Sequence, residues 1–168
     1  MIRFLLPCLF LLSFIAWARP DDAEPARIRA QLKALPVAAK VKLTNNQWRK
    51  ILTPAQFRVL REAWTEPPFT NRYANSHEKG IYLCAACAIE LFGSYAKFHS
   101  GTGWPSFYEP LAMDKIVVLT DNTAGIGREK VRCARCGSHL GHVFNDGPAP
   151  TRLRYCLNSL ALTLKRSN

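Results

Sequence analysis

The chain has 168 residues, 48% hydrophobic and 21% charged, an ordinary globular composition with length enough for one domain and a substantial core. A net charge of +11 would suit nucleic acid, an anionic membrane surface or an acidic protein if the basic residues were clustered. They are scattered, from Arg27, Arg29, Lys33, Lys40 and Lys42 through Arg49, Lys50, Arg58 and Arg61 to Lys165 and Arg166, and no RNP-like or basic-aromatic repeat accompanies them. The charge therefore reads as a solubilising surface, and no nucleic-acid partner is expected.

Residues 1–18 have the pattern of a secretory signal peptide: Arg3, an apolar run from Phe4, and a closing Ala16-Trp17-Ala18. The run is short for a bilayer span, and Pro20-Asp21-Asp22 follows at once, so cleavage is expected in place of a permanent anchor. Cys8 is a poor lipidation site because Pro7 precedes it. The expected location is therefore exported, periplasmic or secreted. Residues 19–42 are rich in Ala, Pro, Arg and Lys and carry no strong apolar face, although a short helix fits Pro25 to Leu35; they read as an extension.

The domain proper is expected over residues 43–165. Thr53-Pro54-Ala55-Gln56 is a helix start, with Thr53 as cap, Pro54 in the first turn and Gln56 completing a capping box. Phe57, Leu60 and Trp64 then recur on one face. After Pro67-Pro68 the spacing changes. Short apolar or alternating runs at Ile81 to Leu83, Ile89 to Phe92, Ile116 to Leu119, Val143-Phe144 and Leu157 to Leu164 are separated by turn residues, which predicts a mainly β, small α+β domain with antiparallel pairing and helices at its periphery.

Removal of Cys8 with the leader would leave five cysteines, an odd number. Cys84, Cys87, Cys133 and Cys136 form two Cys-x-x-Cys knuckles that together offer four thiolates to one tetrahedral, closed and hence structural zinc. Iron takes the same ligands, and two local disulfides or a redox pair are the competing reading. A redox Cys-x-x-Cys commonly opens a helix in a βαβ setting that this sequence lacks, so zinc is preferred. Cys156 is then left over. On a strand, alternation puts Arg154, Cys156 and Asn158 on one face, where the guanidinium favours thiolate and the amide orients it. His139 and His142 could be metal ligands or loop residues; four cysteines complete a shell without them, which leaves both available as general acids.

Four motifs, Ser100-Gly101-Thr102-Gly103-Trp104-Pro105-Ser106-Phe107, His139-Leu140-Gly141-His142-Val143-Phe144, Asp146-Gly147-Pro148 and Arg154-Tyr155-Cys156-Leu157-Asn158-Ser159, occur in order. Together they closely resemble the B-type peptide-methionine (R)-S-oxide reductases, over roughly Leu43 to Leu164. The resemblance implies a core of two antiparallel β-sheets stapled by one structural zinc on Cys84, Cys87, Cys133 and Cys136. It implies Cys156 as nucleophile toward the sulfoxide sulfur, His139 or His142 as proton donor, and Arg154, Asp146 and Asn158 as the groups that orient this shell. Trp104 and Phe144 would face the substrate. Oxidised proteins are the implied substrates and a thioredoxin-like or other thiol reductant the implied donor, with a monomer expected. Three positions depart from the family pattern: Thr102 stands where many members carry a recycling cysteine, Arg152 where glycine is usual, and Trp64 where a Gly-Thr-Glu begins. With Thr102 there, regeneration of Cys156 directly by an external thiol is expected. A zinc-ribbon-type binding module without catalysis would leave Cys156 and Trp104 unused, and a cysteine hydrolase would need a motif that is missing around Cys156.

Overall fold

A computed structural model describes residues 20–121 and 128–167; the expected leader, residues 1–18, lies outside the described residues. Three helices come first, α1 (Pro20–Ala34), α2 (Asn45–Ile51) and α3 (Pro54–Glu62). Two capping boxes fix where the second and third begin: Thr44 with Gln47, and Thr53 with Gln56, each side chain bonding the other's backbone N–H. Such a cap contributes about 1 kcal/mol, which matters in helices of this length. Residues 19–42 differ from the expectation of an extension without a buried face. Ile28 and Leu32 of α1 are buried, and α1 packs on α2. The reason is that Ile28 and Leu32 are the only large aliphatic side chains among the fifteen residues of α1, too few to register as a stripe, yet both are buried. Trp64 also departs from the expected helix face. Helix α3 ends at Glu62, Ala63 turns left-handed (φ 56°), and Trp64 is 39% exposed with the Arg58 guanidinium 4.3 Å from its ring.

Among the described residues nine strands follow: β1 (Gly80–Cys84), β2 (Glu90–Gly93), β3 (Lys97–Phe98), β4 (Ser106–Phe107), β5 (Ile116–Asp121), β6 (Arg128–Cys133), β7 (His139–Phe144), β8 (Arg154–Leu157) and β9 (Leu162–Arg166). They form two sheets, a three-stranded one ordered β2-β1-β9 and a six-stranded one ordered β3-β4-β8-β7-β6-β5, with every pairing antiparallel. The mainly β expectation holds. The apolar stretch from Leu157 to Leu164 is two elements, because a 3-10 turn at Ser159–Ala161 separates β8 from β9 and carries the chain from one sheet to the other. Strand β6 had no alternating signature: its sequence is Arg-Glu-Lys-Val-Arg-Cys, and pairing on both sides by β5 and β7 holds it.

The sheets meet through aromatic rings. Tyr82 and Phe92 of the small sheet pack on Phe107 and Tyr155 of the large one, with centroids 4.8–5.6 Å apart in tilted and edge-on contacts. All four rings are buried, and such pairs add about 0.5–1.5 kcal/mol each beyond the area they remove from water. No helix among the described residues is long and apolar enough to cross a membrane.

Candidate metal centre and active site

Strand β1 ends in Cys84 and β6 ends in Cys133, and each runs into the same tight turn. Ala88 N–H donates to Cys84 O at 2.8 Å, and Gly137 N–H donates to Cys133 O at 2.9 Å. Ala88 and Gly137 are both left-handed (φ 58° and 68°), so the two Cys-x-x-Cys turns share one shape. Their four Sγ atoms lie within 4.8 Å of one another and all four residues are buried. Cys84 Sγ is 3.7 Å from Cys136 Sγ, and Cys87 Sγ is 3.6 Å from Cys133 Sγ.

These distances decide between the competing readings. A tetrahedron of sulfurs about 2.3 Å from a zinc ion has edges of about 3.8 Å, whereas a disulfide needs about 2.05 Å. The four residues are free thiols and fit zinc. Hydrogen bonds from neighbouring thiols hold Cys133 and Cys136 below the usual thiol range, while those to Cys84 and Cys87 push them up. A divalent cation would replace the shared protons. Because one knuckle belongs to the small sheet and the other to the large sheet, the metal staples the two. Arg135, inside the second knuckle, extends the staple to α1: its Nη1 donates to Cys87 O at 2.8 Å and its Nη2 to Leu35 O at 3.1 Å.

The thiol site lies on the large sheet. Strand β8 runs between β4 and β7, and Cys156 pairs with Ser106 on one side and His142 on the other. Paired residues of antiparallel strands project to the same face, so His142 is delivered next to the sulfur by register alone. His139, three residues away, would point to the opposite face of a regular strand. It does not, because β7 is bulged against β6: Val131 pairs with Gly141 and Arg132 with His139, leaving Leu140 as the extra residue. The two imidazoles therefore stand with centroids 5.4 Å apart, His142 half-buried and His139 buried behind it. Gly141 is required here, since a Cβ would run into the Cys156 carbonyl oxygen.

Thr65, Trp104, Gly141, His142, Phe144, Cys156, Leu157 and Asn158 line a cavity of about 120 Å³, room for the end of one side chain. Of the residues singled out in the sequence, Cys156, His142, Trp104, Phe144 and Asn158 meet in it, whereas His139, Arg154 and Asp146 do not line it. Arg154 forms a bidentate pair with Asp146, 2.8 Å at each contact, and its guanidinium lies 4.4 Å from the Phe144 ring centre. That pair holds the Asp146 carboxyl below its usual range. Asn158 is committed to backbone, accepting from Glu66 N–H at 3.0 Å and donating to Leu140 O at 3.1 Å.

Burial pushes the Cys156 thiol up; the Thr102 hydroxyl, the Arg154 charge and Ser106 oppose this without overcoming it. Desolvation outweighs the Arg154 charge, which acts toward thiolate.

Glu66 escaped the sequence reading. It is 3% exposed, its carboxylate accepts the N–H groups of Ser159 and of Leu160 (2.9 Å), and its carbonyl accepts Trp104 Nε1–H at 3.0 Å. Burial raises its carboxyl, with the two backbone N–H donors opposing. It ties the Trp104 turn to the end of β8. An acidic residue in Thr-Glu-Pro-Pro carries no sign of burial, so only its partners reveal it. Arg152, where the family pattern has glycine, has φ 61°, the backbone region that glycine enters without strain.

Comparison with known proteins agrees with this geometry. The SelR domain matches residues 52–166. The chain is 56% identical over 120 residues to "Peptide methionine sulfoxide reductase MsrB" of Thiobacillus denitrificans, covering 71% of this chain and 91% of the relative. It is 52% identical over 125 residues to the protein of that name from Methanosarcina barkeri, covering 74% and 88%. The corresponding figures for the Agrobacterium fabrum protein are 51% over 126 residues, 75% and 93%. With zinc-compatible knuckles, a half-buried thiol paired in register with a histidine, and this extent of identity, the chain belongs to the SelR domain family.

Proposed function

We propose that this protein is a peptide-methionine (R)-S-oxide reductase with Cys156 as its nucleophile. The observation that carries the reading is the placement of the Cys156 sulfur and the His142 imidazole on one face of the sheet, inside a side-chain-sized cavity walled by Trp104 and Phe144. The methyl end of an oxidised methionine sits against the aromatic walls, an apolar contact that leaves the sulfoxide sulfur toward Cys156. The Cys156 thiol gives its proton to His142, and its sulfur bonds to the sulfoxide sulfur as His142 passes that proton to the sulfoxide oxygen, which is gaining negative charge. His139, packed against His142, positions it. The S–O bond to methionine and the new sulfur–sulfur bond then both break as the hydroxyl passes to Cys156, leaving methionine and a cysteine sulfenic acid. Two external thiols complete the cycle: one condenses with the sulfenic acid and releases water, and the second attacks the sulfur of the first and displaces Cys156, returning it as thiol and leaving a disulfide of the two external thiols. Zinc held by the four knuckle cysteines would supply structure and no catalytic step, since four thiolates complete its shell.

Among the described residues no thiol is placed for another route of regeneration, because Thr102 Oγ1 lies 3.9 Å from Cys156 Sγ where a recycling cysteine would stand, and the other described cysteines are the four of the metal centre. The protein acts as a monomer, one chain supplying the whole cavity, on exported oxidised proteins, as the signal-like residues 1–18 suggest, with a thioredoxin-like or other thiol donor. The test is turnover of the two sulfoxide epimers of a blocked methionine with dithiothreitol. The R epimer alone should be reduced, and Cys156→Ser should lose more than ~10³-fold in rate. Failure to reduce the R epimer refutes the activity. Mass spectrometry after one turnover without reductant should find sulfenic acid or its adduct on Cys156, and an intramolecular disulfide would refute direct regeneration.

A further inference from the structure

Three hydroxyls run in a line from the Cys156 sulfur. Thr102 Oγ1 is 3.9 Å from Cys156 Sγ, Ser100 Oγ is 2.8 Å from Thr102 Oγ1, and Ser106 Oγ is 2.8 Å from Ser100 Oγ. The line ends on a fixed acceptor, the Trp104 carbonyl oxygen, 3.3 Å from Ser106 Oγ. Ser106 is fully buried, and Ser100 and Thr102 are half-buried.

A hydroxyl donates one hydrogen bond and accepts up to two, so a line of them has a direction. With Cys156 as thiol, S–H donates to Thr102, Thr102 to Ser100, Ser100 to Ser106, and Ser106 to the Trp104 carbonyl. With Cys156 as thiolate, rotation of the three hydroxyl protons reverses the line: Ser106 donates to Ser100, Ser100 to Thr102, and Thr102 to the sulfur. No heavy atom moves, no hydroxyl is left without a donor role, and each bond polarises the next.

We propose that Thr102, backed by Ser100 and Ser106, is a reversible hydroxyl line that stabilises negative charge on Cys156, so that the residue standing in place of a recycling cysteine activates the nucleophile in place of resolving it. Thr102 and Ser106 both neighbour the reacting sulfur, while Ser100 acts through them. The inference rests on Cys156 as the nucleophile, but the property it concerns exists without substrate. The other charged or titratable groups around the sulfur are His142 on β7 with His139 behind it, and Arg154 on β8 held by Asp146. None of these is altered by changes in the hydroxyl line.

The experiment follows the pH dependence of Cys156 alkylation by iodoacetamide in the full chain with zinc bound, with the labelled residue identified by mass spectrometry. Thr102→Val keeps the shape and removes the hydroxyl. Its alkylation midpoint should rise by about one pH unit, a roughly tenfold slower reaction at neutral pH. Thr102→Ser should restore the wild-type midpoint. Ser100→Ala, which touches neither sulfur nor substrate, should shift it in the same direction by a smaller amount. A Thr102→Val midpoint equal to wild type overturns the proposal, and so does a shift in Thr102→Val that Thr102→Ser fails to reverse. Thr102→Ala serves where the valine variant does not fold. A chain that fails to reduce the R-sulfoxide would refute the reductase reading, while the alkylation profile would still decide the role of the hydroxyl line.

Discussion

The two sulfur centres of this protein are made of the same atom in opposite surroundings. At the metal centre four buried thiols crowd within 4.8 Å of one another. At the other site a single half-buried thiol has the Thr102 hydroxyl 3.9 Å away and a histidine opposite it in register. Four sulfurs satisfy a cation and become inert. One sulfur, partly desolvated and without a thiol partner, keeps its reactivity. The difference lies in the backbone: the first set sits in tight turns at strand ends, the second in the middle of a sheet where pairing on both sides selects its neighbours.

That separation can be attacked from either side, and the largest effect is expected at the metal. Cys133→Ser should abolish zinc binding and lower unfolding stability by more than ~5 kcal/mol, since structural zinc contributes folding free energy directly. Metal analysis with thermal melts checks this, and a variant that keeps a wild-type melting temperature would show that the sheets hold without the staple. His142→Gln should cost about 10²-fold in kcat/KM with zinc content unchanged, the usual scale for losing a general acid. His139→Gln should cost less, because His139 does not line the cavity. Equal losses in steady-state assays would mean that the buried ring is the donor.

A third test is the pH profile of the resting thiol. Burial raises Cys156, so the thiol form is favoured up to and beyond the ordinary range, and thiolate appears only as pH rises through the raised value. Alkylation should therefore accelerate about tenfold per pH unit across neutral pH. A plateau below pH 7 would place the thiol in the activated class and reverse the balance of burial over charge. The smallest effect belongs to neither sulfur. Arg152→Gly should relieve left-handed strain of roughly 1–2 kcal/mol, offset in part by the greater unfolded-state freedom of glycine, for a net gain of about 0.5 kcal/mol by denaturant titration. An equal loss would show that the Arg152 side chain has a structural role of its own.

Much of this arrangement was legible in the residues. The capping box at Thr53 and Gln56, the knuckle cysteines and the isolation of Cys156 all depend on spacing within a few residues, where chain geometry leaves few choices. What stayed hidden depends on distant contacts. Strand β6 exists because β5 and β7 flank it, the burial of Ile28 and Leu32 depends on the surface that α1 meets, and Glu66 is identified only by the N–H groups of Ser159 and Leu160.

The sequence by itself determined which atoms could do chemistry: four thiols in two pairs, a fifth alone, two histidines around a glycine, and a threonine beside the Gly-Trp turn. Tertiary structure decided the roles. The bulge at Leu140 brings His139 round to His142, the register of β7 and β8 gives His142 to Cys156, and the turns at Ser100 to Ser106 line up three hydroxyls on its sulfur. Residue type fixes what a side chain can donate or accept, whereas which group receives it is set by strand register and packing, and these are properties of the whole fold.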